Sequence, residues 1–166
     1  YIICTNLKYE IIFIDIIDNK IVLKIKNAHT YQIVHIAHYS DEINKRDLFA
    51  SYCYNGSLKL WNINTFECIA VIDLLSSLGD KLLNSLFFMN FKSQLYIVAP
   101  FVFDVNFEKV VLYDLKGIKA KEIKIKNKNH NVFDINCYYE KKSQKNYFFF
   151  GGPGFLKSFD VNKNDI

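Results

Sequence analysis

Apolar residues fall in short runs along this chain, and each run is closed by Asp, Asn, Gly or Lys. Four of the runs end in the same way: Ile11-Ile12-Phe13-Ile14-Asp15, Leu58-Lys59-Leu60-Trp61-Asn62, Val110-Val111-Leu112-Tyr113-Asp114 and Leu156-Lys157-Ser158-Phe159-Asp160. The closing Asp or Asn residues are 47, 52 and 46 positions apart. Each is followed by another apolar residue (Ile16, Ile63, Leu115 or Val161) and then by a polar turn. Short runs bounded by turn chemistry predict strands. Recurrence at a near-constant interval predicts one supersecondary unit used several times.

The spacing sets the expected strands. The second unit has strands near 31–38, 47–53, 57–63 and 67–73, and the third near 85–91, 94–99, 108–115 and 119–126. The fourth has strands near 131–139, 145–151 and 155–161, and the first near 1–5, 10–16 and 20–26. Asn55-Gly56 predicts a tight hairpin, because both residues tolerate positive φ. Leu74 to Leu83 is read as a longer connection with a helical turn.

The second unit carries a family resemblance. Leu48-Phe49-Ala50-Ser51-Tyr52-Cys53-Tyr54-Asn55-Gly56-Ser57-Leu58-Lys59-Leu60-Trp61-Asn62, with Ala28-His29 before it and Asn64-Thr65-Phe66-Glu67-Cys68-Ile69 after it, resembles a WD repeat. That repeat has a Gly-His pair, a tight turn and a strand ending in Trp-Asp, at a period of about 40–45 residues. Ala28 stands where the family has glycine, and Asn62 where it has the closing Asp. The last unit keeps His130 and ends in Phe159-Asp160; the third has no such histidine. The resemblance implies an all-β, incomplete β-propeller of about three and a half four-stranded antiparallel blades. Their expected bounds are 1–27 (first strand missing), 28–74, 83–127 and 130–166 (last strand missing). Further blades of a longer chain are expected to complete it, and the terminal blades to expose apolar faces.

The resemblance also implies a hydrogen-bonded group of His29, Ser51, Asn55 and Trp61 that pins the loop before the first strand to the hairpin. Asn55 lacks the charge of the family's Asp, so its link to His29 is expected to be weaker. Partner contacts are expected on the loops of the same rim, at Tyr31 and Tyr54. In the third unit they are expected at Phe101 and Phe103, placed in a longer aromatic turn, unless these two pack inwards.

Composition adds a β lean, with fifteen Phe and eleven Tyr. The formal net charge is +4, but Arg46 is the only arginine. Specific nucleic-acid readers rely on arginine forks, so such a partner is not expected. Lys124, Lys126 and Lys128 alternate with Ile123 and Ile125, as Lys24 and Lys26 do with Leu23 and Ile25; both sets are read as lysine-guarded sheet edges. Cys4, Cys53, Cys68 and Cys137 form no C-x-x-C pair, and reduced thiols in an intracellular, cytoplasmic setting are expected. No apolar run is long enough for a membrane span.

Other constellations reduce to structure. His35 and His38 fall on opposite faces of a strand and cannot share a metal ion. Gly151-Gly152-Pro153-Gly154 lacks the Lys-Ser or Lys-Thr of a phosphate loop and reads as a hairpin turn. Asn55-Gly56-Ser57 matches a glycosylation pattern, but the hairpin already accounts for it. No Asp pair is forced together and no nucleophile–base arrangement stands outside the structural group, so neither catalysis, a cofactor nor a metal is expected. The expected function is a protein–protein scaffold or adaptor in a multiprotein complex. The alternative is a fixed architectural subunit of a large cytoskeletal, ciliary or ribosome-associated assembly, and an enzyme built on a propeller ranks last.

Overall fold

A computed structural model of the chain describes residues 1–74, 80–82, 85–103, 106–124, 134–140, 142–143, 145–152 and 154–162. Side chains at 80–82, 102–103, 106–108 and 134 are outside that description, as are His130, Lys126 and Lys128. Every regular element among these residues is a strand, and none is a helix able to cross a membrane. The chain divides into two compact units, Tyr1–Leu75 and Ser76–Ile166.

The first unit holds two antiparallel sheets. One contains β1 (Ile2–Thr5), β2 (Ile11–Asp15) and β3 (Lys20–Ile25) in that order. The other contains β4 (Ile33–Asp41), β5 (Arg46–Cys53), β6 (Ser57–Asn62) and β7 (Cys68–Asp73), each paired with its sequence neighbour. Ile11 and Phe13 of the first sheet pack against Phe49, Cys53 and Trp61 of the second in one buried cluster. Period-two alternation explains the choice: Phe49, Ser51 and Cys53 share one face of β5, and Lys59 and Trp61 share the matching face of β6. The Phe49 and Trp61 rings stack 5.7 Å apart at an interplanar angle of 4°. Phe13 meets Phe49 edge-on at 5.6 Å and Phe66 at 5.1 Å.

The second unit repeats the plan. Its larger sheet contains β8 (Asp80–Leu82), β9 (Phe87–Phe91), β10 (Gln94–Phe103), β11 (Asn106–Tyr113) and β12 (Lys119–Lys124). The smaller contains β13 (Asp134–Glu140), β14 (Lys145–Gly152) and β15 (Phe155–Asp160). Met89, Val98, Val110 and Leu112 pack against Ile135, Phe148, Phe150 and Phe159. Phe148 lies opposite Phe159 in the ladder, as Phe49 lies opposite Trp61, and these rings also stack.

The Asp and Asn residues of the repeated pattern all act alike. Asp15 Oδ1 accepts from the N–H of Ile17, Asn62 Oδ1 from Asn64, Asp114 Oδ1 from Lys116 and Asp160 Oδ1 from Asn162, all at 2.8–2.9 Å. Each ends its strand by folding the next residues around one side-chain oxygen. A second feature recurs in three sheets. Opposite the repeated motif the outer strand carries one extra residue: Val22 on β3, Ile69 on β7 and Ala120 on β12.

Two expectations for the third sheet need correction. Asp80–Leu82 is a strand paired with β10, not part of a helical turn; residues 75–79 lie outside the description. The hairpin of β10 and β11 is longer than the sequence predicts, so Phe101 and Phe103 stand within a strand rather than in a turn. Ala99 and Pro100 fall between the segments of β10 paired to β9 and to β8, while β10 stays paired to β11 through Pro100, opposite Val110.

Candidate interaction surface

The loop before β4 and the hairpin between β5 and β6 meet at one end of the second sheet. The hairpin falls where the sequence places it, but only one of its two turn residues, Gly56, takes positive φ. Gly56 N–H donates to Cys53 O at 2.9 Å, and Gly56 has φ of 87° while Asn55 is not at positive φ. Tyr54, Asn55 and Gly56 thus form a three-residue loop with glycine at the left-handed position.

Three bonds bind the loop to the hairpin and the sheet, and a fourth ties the hairpin to the end of β7. Tyr54 N–H donates to Gln32 O at 2.9 Å, and Asn55 Nδ2 to Thr30 Oγ1 at 3.2 Å. Lys59 Nζ donates to Ala28 O at 2.7 Å, and Leu74 N–H to Gly56 O at 3.0 Å. Beneath them, Ser51 Oγ accepts from Trp61 Nε1 at 2.8 Å and is hydrogen-bonded to His29 Nε2 at 2.7 Å. His29, Ser51 and Trp61 are all buried.

Asn55 does not join this inner group. Its Oδ1 accepts from Ser57 N–H and from the Cys53 thiol, and its amide turns to Thr30. The expected Asn55–His29 link is therefore absent, and His29 Nδ1 is buried without a partner. The physical reason is local: an Asn oxygen two residues before a free N–H closes an Asx turn on its own backbone. Burial, with the Lys59 ammonium nearby, pushes the His29 imidazole down to about 4, so it is neutral at pH 7. Sequence reasoning missed Lys59, Thr30 and Gln32. Lys59 was accessible to it, since period two places Lys59 on the Trp61 face.

The exposed aromatics on this framework are Tyr31, 55% exposed, and Tyr54, 77% exposed. Phe101 is 3% exposed and belongs to the core, so it is removed from the candidate contacts. The side chain of Phe103 lies outside the description. At the opposite end of the first unit a cavity of about 350 Å³ has His38 and Asp47 among its lining residues, their Nε2 and Oδ1 atoms 2.6 Å apart. His35 pairs with Tyr52 and His38 with Phe49, which puts the two histidines on opposite faces. No group of three or more metal-ligating side chains occurs among the described residues. Gly151 and Gly152 end β14, and Gly152 pairs with Phe155 across a hairpin that contains Gly154 at φ 78°.

No family model matches the chain, and no curated protein matches it in sequence. Among 117 solved chains of similar structure is the β-propeller domain of Cps50 (Swd1) from Myceliophteria thermophila. It is 12% identical, with a TM-score of 0.65, over 99% of this chain and 49% of that one. The chain thus spans about half the length of the propeller it matches. At that identity the likeness speaks for fold alone: all-β, of the β-propeller type, in an incomplete set of blades.

Proposed function

We propose that the chain is a segment of a WD-repeat propeller and serves as a non-catalytic protein-interaction module inside the cell. The observation that carries this reading is the pairing of two exposed tyrosines, Tyr31 and Tyr54, with loops that main-chain and side-chain bonds hold in place. A rigid aromatic loses little entropy on binding and supplies much contact area, which is what an interface anchor needs. The repeat-like sequence of residues 48–62 and the shared use of Asp15, Asn62, Asp114 and Asp160 support the family assignment.

The reactive groups near this surface are committed to structure. Ser51 Oγ is taken by Trp61 and His29 beneath the loops, and no substrate reaches a histidine so deeply buried. Burial raises the thiols of Cys53 and Cys68, which keeps them protonated; in the second unit, burial pushes the Cys137 thiol up to about 11. The four cysteines are free thiols, in keeping with an intracellular setting.

The test is affinity purification of the tagged chain with quantitative mass spectrometry, comparing wild type with Tyr31→Ala/Tyr54→Ala. Loss of stoichiometric partners with an unchanged unfolding midpoint is the expected result. Retention of every partner by the double variant overturns the reading. A single partner that survives high salt points instead to a fixed architectural subunit.

A further inference from the structure

The three outer strands share a bulge but not a defence. β3 carries Lys20 and Lys24, and β12 carries Lys119, Lys121 and Lys124. Lysine on an edge strand discourages another chain from pairing there. β7 reads Cys68-Ile69-Ala70-Val71-Ile72-Asp73 and has no cation. Ile69 is 48% exposed and Val71 62% exposed. Exposed carboxylates stand at both ends, on Glu67 and Asp73.

The ladder fixes which main-chain groups face outward. Leu74 N–H donates inward to Gly56 O, and Ile72 and Val71 lie opposite Leu58 and Lys59. Antiparallel pairs alternate between bonded and non-bonded, so the N–H and C=O of Val71 point away from β6. Such an outward pair offers a template on which an extended backbone can add as a further strand.

We propose that the β7 edge receives an extended strand from a different polypeptide, with an apolar residue beside Val71 and a Lys or Arg beside Glu67. The incoming strand adds a fifth member to the sheet of β4–β7, at a place distinct from the Tyr31 and Tyr54 loops. A second copy of this chain fits poorly. Two-fold antiparallel pairing centred on Ala70 sets Glu67 against Asp73, and pairing centred on Val71 sets the Asp73 carboxylate against Ile69. Like charges, or charge against an apolar side chain, weaken either register.

The probe is a fluorescein-labelled peptide, Lys-Thr-Val-Thr-Val-Thr-Lys, titrated by anisotropy against the full chain; with its last lysine beside Glu67 its first valine stands beside Val71. Saturable binding is expected, weakened about tenfold or more by Val71→Lys or by Val71→Pro. The proline removes an outward donor and leaves the β6 ladder whole, and far-UV circular dichroism checks that both variants fold. A Glu-flanked peptide and one N-methylated on alternate residues along its pairing edge are expected to bind more weakly. Tyr31→Ala/Tyr54→Ala is expected to bind the probe like wild type, which separates this edge from the loop surface. The proposal is overturned by absence of saturable binding, by equal affinity in wild type and both Val71 variants, or by a wild-type dimer in sedimentation that Val71→Lys dissolves.

Discussion

Lys59 Nζ reaches across the sheet to donate to Ala28 O at 2.7 Å, and lies 5.7 Å from the centre of the Trp61 ring. One cation thus ties the incoming loop to the strand that carries the tryptophan, and it also presses on the nearby His29. Lys59→Met keeps the aliphatic stem and removes the charge. The variant is expected to lose about 1–3 kcal/mol, the penalty for a part-buried carbonyl losing a charged donor. It is also expected to raise the His29 pKa from about 4, which NMR titration of the ring protons measures. An unchanged pKa in a folded variant contradicts the assignment.

Stability is expected to depend on pH through His29. Its folded value is about 4 and its ordinary value 6.5. Between these limits the unfolded chain holds a proton that the folded chain refuses, so folding is favoured as pH rises. The contribution is complete above about 6.5 and declines as pH falls to about 4, by on the order of 3 kcal/mol. Urea titrations at pH 7, 5.5 and 4.5 measure the slope, and His29→Gln is expected to flatten it.

Trp61 and Asn55 are expected to differ sharply. Trp61→Ala empties the stack on Phe49 and leaves Ser51 without its donor, a loss of about 3–5 kcal/mol. Asn55→Ala loses an exposed bond to Thr30 and a part-buried one from the Ser57 N–H, each contributing roughly 0.5–1.5 kcal/mol. Chemical denaturation of the two variants tests the order, and equal midpoints refute it.

The strand-end oxygens predict a selective tolerance. Asn62 does with an amide what Asp15 does with a carboxylate. Asp114→Asn is therefore expected to leave the unfolding temperature unchanged, and Asp114→Ala to lower it by releasing the N–H groups of Lys116 and Ile118.

The strands of residues 47–63 were legible because Leu48 to Cys53 and Leu58 to Trp61 are apolar apart from Ser51 and Lys59 and flank a glycine turn. The recurrence of Asp and Asn was legible too, but their shared task was not, since a spacing does not say where an oxygen points. Asn55 misled for that reason: its type fits a link to His29, while the competing Asx turn depends on backbone geometry alone. Phe101 misled differently. Its aromatic type suits an exposed loop anchor, and only the pairing of residues 101–103 to β8 and β11 shows that the strand runs on.

The Oδ1 atoms of Asp15, Asn62 and Asp114 accept from backbone N–H groups of the residues that follow. What hangs from those residues is unconstrained by that contact: isoleucine and aspartate after Asp15, asparagine and threonine after Asn62, lysine and isoleucine after Asp114. Each such end is a socket of fixed shape for inserts of any lettering. Foreign peptide grafted between Ile16 and Asn19, with Asp15 kept, has a ready-made hinge to fold back on, and the turns after Asn62 and Asp114 offer two more such sockets for display.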